Sequence, residues 1–174
     1  MGSSLQFFKQ KIERGDFTII DKALEECKFI SNGIIINKLV YLGDAAFQLR
    51  ANMPHSTGDL LPPNVKKFYH YLEYDFVNSS IKKSLTKEEF EAQKQQFLKS
   101  ADIGQILFAM NIIHNGGQAV LVTDETKTNN DNKLFKKIPA ICDLLKIPTK
   151  TLPEILTSYI AANFTIKSAT NNEN

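Results

Sequence analysis

Apolar residues recur along most of the chain at intervals of three and four positions, the spacing that places them on one face of an α-helix. The clearest stripe lies in segment 103–113 and consists of Ile103, Ile106, Leu107, Met110 and Ile113. Similar spacing predicts helices over 17–28, 34–50, 64–84, 87–99, 139–146 and 152–164. Only segment 118–123 could be either a helix or a short strand. The predicted fold class is therefore all-α, with no sheet of more than two strands.

Capping and turn residues indicate where several of these helices begin and end. Segments 86–89 (Thr-Lys-Glu-Glu) and 151–154 (Thr-Leu-Pro-Glu) have the form of a capping box. Segment 115–117 (Asn-Gly-Gly) is typical of a left-handed helix C-terminus. The polar, Asn-rich residues 124–132 are predicted to be a loop. The chain then divides into a helical domain over 17–123, this loop, a short helical C-terminal extension over 133–166 and a disordered tail over 167–174.

Composition narrows the classes of function. The chain has 174 residues, of which 43% are hydrophobic and 23% charged, as is typical of a globular protein with one core. No apolar run is long enough for a membrane span, and the N-terminus lacks the apolar centre of a secretory signal. The net charge of +2 is far below that of a dedicated nucleic-acid binder. Any contact with RNA must therefore come from local patches.

Three groups of lysines and one aromatic segment are the candidate contacts with RNA. The lysines are Lys66 with Lys67, Lys82 with Lys83, and Lys133 with Lys136 and Lys137. Each group has the alternative interpretation of a solvated helix face. The aromatic residues could offer stacking surfaces for single-stranded RNA, although their helical spacing favours a core or an interface. They are Phe68, Tyr69, Tyr71, Tyr74 and Phe76.

Two segments resemble motifs of the ribonuclease III family. Residues 38–47 (Lys-Leu-Val-Tyr-Leu-Gly-Asp-Ala-Ala-Phe) are similar to its signature helix, which has a Glu, a basic residue, Leu, Glu, an aromatic residue, Leu, Gly, Asp and Ala in succession. Residues 101–113 are similar to its second acidic motif, Ala-Asp-x-Phe-Glu-Ala-Leu-x-Gly-Ala-Ile-Tyr-Leu. The order and spacing of the matching pieces agree over about residues 17–122. The resemblance implies a ribonuclease III-like helical domain that dimerises through the signature helix.

The carboxylates that this family uses are only half present. Clustered carboxylates in the family hold the Mg²⁺ ions that activate water for cleavage of double-stranded RNA. Asp44 and Asp102 match two of the acidic positions. Asn37 and Gln105 stand where the family has two glutamates, and Val40 replaces a third at the edge of the site. The resemblance thus implies a remnant cluster without catalytic residues, at most a weak Mg²⁺ interaction at Asp44 and Asp102, and no cleavage of double-stranded RNA.

A competing alignment places the second acidic motif at residues 151–159, with Glu154 paired to Asp44. We disfavour it because the spacing from Asp44 is too long and because Glu154 is already explained as a capping-box residue. The two cysteines, Cys27 and Cys142, have no CxxC pattern and no Cys/His cluster, so a zinc site is not expected. The sequence also has no P-loop and no GxGxxG motif, and no other cofactor is expected.

The residues that stand in place of the family's acids favour a packed interface over a metal site. Val40 puts a hydrophobe where the family has a carboxylate, and small and aromatic residues follow it. The residues predicted to lie in or beside a contact with another ribonuclease III-like chain are Val40, Tyr41, Ala45, Phe47 and Leu49. A heterodimer is favoured over a homodimer.

The resemblance implies a non-catalytic, RNA-associated structural protein. Degenerate ribonuclease III domains without a separate RNA-binding module are found in mitochondrial large ribosomal subunits. The implied partners are therefore rRNA or another structured RNA and ribosomal proteins, and the implied location is the mitochondrial matrix, although no clear presequence is present. Two alternatives stay open: a small ribonuclease III-like endonuclease, and a non-catalytic subunit of an RNA-editing or processing complex.

Overall fold

The computed structural model describes residues 4–127 and 133–163, and this part of the chain forms ten α-helices and one parallel two-stranded sheet. The helices are α1 (Ser4–Glu13), α2 (Asp21–Phe29), α3 (Ile34–Lys38), α4 (Ala45–Arg50), α5 (Val65–Tyr74), α6 (Ser79–Ser84), α7 (Lys87–Leu98), α8 (Ala101–His114), α9 (Ile138–Leu145) and α10 (Leu152–Asn163). Strand β1 (Leu121–Val122) pairs with β2 (Thr149–Lys150). The all-α class is confirmed, and no sheet in the described residues exceeds two strands.

The main core surrounds α8. Its apolar stripe includes Ile103 and Ile106, which are fully buried, and helices α2, α7 and α9 lie against it together with β1. The other members of this core come from α5, α8, α9 and the segments beside them: Phe68, Leu72, Phe76, Leu107, Ala109, Leu121, Ile138, Ile141, Cys142 and Ile147. Because α9 contributes to the same core as α8, the predicted C-terminal extension is an integral part of the fold.

A second, N-terminal core lies among α1, α2, α4 and the segment that joins α3 to α4. Its buried members are Ile12, Leu24, Leu42, Phe47, Ala51 and Met53. Helix α1, which no sequence pattern had predicted, supplies Ile12. The aromatic ring of Tyr159 on α10 lies 5.7 Å from the rings of both Phe7 and Phe17. The folded unit therefore begins before residue 17, where the sequence placed the start of the domain.

The prediction of a single helix over 34–50 is wrong. The segment contains α3, a 3-10 helix over Val40–Gly43 and α4. Leu39 (φ −102°, ψ 58°) and Asp44 (φ −82°, ψ 116°) both leave the helical region. Asp44 starts a new helix, because its carboxylate accepts a hydrogen bond from the Phe47 backbone N–H at 2.7 Å. The helix predicted over 64–84 is likewise divided, since the Asn78 side chain caps α6.

The predicted capping signals are confirmed at three helices. Thr86 and Glu89 form both hydrogen bonds of a capping box at α7. Thr151 and Glu154 exchange the equivalent hydrogen bonds at α10. Gly116, which follows α8, has a φ of 83°. The predicted tail and residues 128–132 of the predicted loop fall outside the described residues. Within the described part of the chain, no helix has the length and apolar character to cross a membrane.

Candidate nucleic-acid surface

The four residues of the predicted acidic remnant differ in their positions and surroundings. Asp44 caps α4, and Asn37 is exposed on α3. Asp102 and Gln105 lie half-buried on α8. In residues 4–127 and 133–163, no group of three or more His, Cys, Asp or Glu side chains is arranged to hold a metal ion. The structure therefore provides a local role in helix capping for Asp44, which the resemblance had assigned to a metal site.

Asp102 has different acidic neighbours from those that the resemblance implied. Burial raises the pKa of the Asp102 carboxyl, the negative charges of Glu125 and Glu26 raise it further, and Lys133 opposes them. The sequence paired Asp102 with Asp44, whereas Glu125 and Glu26 are the acids that act on it in the structure. Its charged form is thus disfavoured in the folded state.

The raised pKa of Asp102 predicts how the stability of an Asp102→Asn variant, relative to the wild type, changes with pH. The folded protein binds a proton at Asp102 more readily than the unfolded chain does. The ionised Asp102 carboxylate therefore destabilises the folded protein. This destabilisation is absent below the ordinary pKa of 3.8 and fully present above the raised pKa. We expect the free energy of unfolding of the variant, relative to the wild type, to increase between pH 4 and pH 7. Urea unfolding across this range measures it, and a relative stability that decreases would contradict it.

The predicted interface residues divide between the surface and the N-terminal core. Val40 and Leu49 are 70% and 84% exposed, and Ala45 is also exposed. Phe47 is only 1% exposed, and the half-buried Tyr41 ring lies edge-on to it at 5.0 Å. Phe47 therefore has no surface to offer a second chain, because α4 turns this residue inward and Leu49 outward.

The predicted lysine contacts also differ in their surroundings. Lys82 is half-buried, and its ammonium donates to the Glu73 backbone carbonyl and lies 4.1 Å from the centre of the Phe90 ring. It therefore links α5 to α6 and α7. Lys83, Lys66 and Lys67 are exposed.

The third lysine group lines a cleft of about 540 Å³. Lys133, Lys136 and Lys137 share this cleft with Asp102 and Glu125. The Glu125 carboxylate accepts a hydrogen bond from the backbone N–H of Ile138 at 2.9 Å, which fixes a negative charge at the start of α9. The two carboxylates oppose a polyanion, so this cleft is a poorer candidate for RNA than an exposed basic surface.

Helix α5 has the most uniformly basic and aromatic surface among the candidates. Its inward side holds Phe68 and Leu72 in the main core, and its other side faces solvent. We call the solvent-facing set the α5 outer face; it consists of Lys66, Lys67, Tyr69, His70 and Tyr74, all of which are exposed. Tyr74 is 66% and Tyr69 44% exposed. Large aromatic side chains beside lysines are the combination that proteins use to bind single nucleic-acid strands.

The charge of the α5 outer face depends on its own charged residues and on the acids near it. Both formally charged residues of the face are lysines. Two acids flank Tyr74 in sequence, Asp75 and Glu73, and both are half-buried. Glu73 is paired with Lys82 and Lys94. Its charge is therefore compensated by its partners.

The sequence indicates the two lysines and the aromatic segment, but the helical spacing of the segment favours a core or an interface. The structure divides it: Phe68 and Phe76 are buried, Tyr71 is half-buried, and Tyr69 and Tyr74 are exposed. The sequence signal for this face is the four-residue spacing of Lys66, His70 and Tyr74. This spacing places a lysine and two aromatic side chains on one side of the helix.

The part of the chain that contains this face matches the model of a known family. Residues 64–162 match the model of a family described as Domain of unknown function (DUF4411). No curated protein and no solved structure was found to match the chain. The match includes the whole of α5, whereas residues 38–47, which resemble the ribonuclease III signature helix, precede it. The resemblance to ribonuclease III stays a prediction.

Proposed function

Because the chain belongs to the DUF4411 family, a domain of unknown function, we propose a function from its own residues: a non-catalytic, RNA-associated structural protein. In this proposal RNA binds to the α5 outer face. The finer form of the proposal is a component of the mitochondrial large ribosomal subunit, located in the matrix, with rRNA, ribosomal proteins and a second ribonuclease III-like chain as partners. That finer form rests on the ribonuclease III resemblance alone.

The observation that supports RNA binding is the composition of the α5 outer face. Lys66 and Lys67 supply positive charge for phosphates, and no carboxylate lies among the exposed residues of this helix. Tyr69 and Tyr74 supply exposed rings beside them. The net charge of the chain is only +2, so a local basic surface is what association with RNA requires.

The non-catalytic part of the proposal is supported by the acidic positions. Asn37 and Gln105 are neutral amides, which bring no formal charge to a cation. Asp44 is used as a helix cap, and the pKa of Asp102 is raised by burial first and then by Glu125 and Glu26. These features favour a scaffold that binds RNA over one that cleaves it.

The test is a double variant, Lys66→Ala with Lys67→Ala. We expect weaker binding to a structured RNA that has both a duplex and a single-stranded tail, because two phosphate contacts are lost. The slope of log affinity against log salt should become shallower by about 0.7 to 0.9 for each lost contact. Fluorescence anisotropy of the labelled RNA over a range of salt concentrations measures both quantities.

The matched control is Lys38→Ala with Lys99→Ala. These two lysines are also exposed but lie on α3 and at the end of α7, so the control makes the same change in net charge away from α5. Its affinity should stay close to that of the wild type. Equal effects in the two double variants, or a wild type that binds no RNA, would contradict the proposed function.

A further inference from the structure

The two exposed tyrosines of the α5 outer face keep much of their surface open to solvent. Tyr74 is 66% exposed and Tyr69 is 44% exposed, although a tyrosine ring usually covers part of a core or an interface. The neighbouring Phe68 and Leu72 already fill the inward side of the helix. The tyrosine rings are therefore available to a bound molecule.

Two contacts hold the Tyr74 ring in position. The His70 ring lies 4.9 Å from it with an angle of 40° between the planes, and the Lys82 ammonium lies 5.0 Å from its centre. Lys82 is itself held by the Glu73 backbone carbonyl and carboxylate. A ring that is already positioned loses less conformational freedom when a base stacks on it.

We infer that the α5 outer face binds single-stranded RNA, with unpaired bases stacked on Tyr74 and Tyr69 and phosphates held by Lys66 and Lys67. This inference rests on the proposed function and specifies its RNA class. The bases of a duplex are already stacked on one another, and duplex RNA is recognised mostly by its shape and its backbone. Exposed rings contribute to binding only where bases are free to leave their own stack.

The dimensions of the face agree with a short single strand. Lys66 and Tyr74 are eight residues apart on the helix, which corresponds to about 12 Å at ~1.5 Å per residue. Stacked nucleotides advance ~3.4 Å each along one strand, so the face spans roughly three to four of them. Stacking and charge do not distinguish base sequence, so binding should tolerate many sequences.

The experiment compares Tyr74→Leu with Tyr74→Phe, using a short poly(U) strand and a blunt RNA duplex of the same length. The chain has five tyrosines and no tryptophan, so tyrosine emission can be followed directly. We expect the wild type to prefer poly(U) and its tyrosine emission to be quenched on binding. Tyr74→Leu should lower affinity for poly(U) on the order of ten-fold or more, whereas Tyr74→Phe, which keeps the ring, should retain most of it.

The outcomes separate this inference from the proposed function. Loss in Tyr74→Leu with retention in Tyr74→Phe supports stacking of single-stranded RNA. If the duplex binds as well as poly(U), and Tyr74→Leu binds like the wild type while the Lys66 and Lys67 double variant does not, the inference is overturned and the proposed function stands. If neither RNA binds the wild type, both are overturned. Thermal unfolding of each variant shows that the fold is kept, as we expect for so exposed a side chain.

Discussion

Replacing Phe47 with Asp is expected to unfold the N-terminal part of the protein. Phe47 is 1% exposed and packs in the N-terminal core with Leu24, Leu42 and Met53. Removing a buried phenylalanine side chain costs ~3–5 kcal/mol, and an unpaired buried carboxylate adds further cost. Since whole domains are stable by only about 5–15 kcal/mol, the variant should lose cooperative unfolding or have a much lower midpoint. Urea unfolding followed by circular dichroism measures this.

Leu49→Asp is the matched control, because it makes the same kind of change on the same helix. Leu49 is 84% exposed, so its replacement should alter the free energy of unfolding by no more than about 0.5 kcal/mol. A Phe47→Asp protein that unfolds like the wild type but sediments as a smaller species would show that Phe47 lies in an interface. Loss of self-association in Leu49→Asp alone would instead assign an interface to the exposed residues beside it.

The parts of the fold that could be predicted from the sequence depend on interactions within a few residues. The α8 stripe places Ile103 and Ile106 in the core because helical spacing alone decides which side they occupy. The capping box at α7 involves only Thr86 and Glu89, three residues apart. Such signals do not need any distant partner.

The break between α3 and α4 could not be predicted from periodicity. Apolar residues continue at helical spacing through 34–50, and Leu42 and Phe47 are both buried although they belong to different elements. Which conformation Asp44 adopts depends on competition between the helix and its own side-chain cap. Leu42 and Phe47 share the N-terminal core with residues from α1 and α2, which no local pattern indicates.

The candidate site was only partly predictable for the same reason. Lysine pairs are visible in the sequence, but their partners are not. Lys82 is bound by Glu73, nine residues before it, and Lys133 lines the same cleft as Asp102. The exposure of Tyr74 depends on how α5 packs, so its availability became clear only from the fold.

At Gly104, helix α8 packs closely against the segments around it. A Cβ atom at this position would lie 3.1 Å from Ile20 Cδ1 and 3.2 Å from Thr57 Oγ1. The Thr57 hydroxyl is held in place, because it donates a hydrogen bond to the Asp21 carboxylate at 2.6 Å, and the Thr57 backbone N–H donates a second one. Glycine thus allows α2 and the segment before α5 to pack directly on α8.

The Asp21 carboxylate stabilises the position of Thr57 beside Gly104. Partial burial raises the pKa of Asp21, but the hydrogen bonds from the Thr57 hydroxyl, the Thr57 N–H and the Lys22 N–H outweigh it and hold the pKa below its ordinary value. A lowered pKa means that the folded state favours the charged form. Moving Thr57 to make room for a side chain at Gly104 would therefore also remove stabilisation of this carboxylate.

Gly104→Phe is expected to lower the free energy of unfolding by about 3 kcal/mol or more, since overpacking of this kind costs ~1–3 kcal/mol and the Asp21–Thr57 hydrogen bonds are lost with it. Helix propensity alone predicts the opposite, because glycine inside a helix costs ~1 kcal/mol relative to alanine. Gly58→Phe is the control, because a Cβ there meets no atom within 4 Å. Urea unfolding at pH 7 compares the two. The ribonuclease III motif has Phe where this chain has Gly104, so a variant as stable as the wild type would contradict the packing described here and favour the family's arrangement around α8.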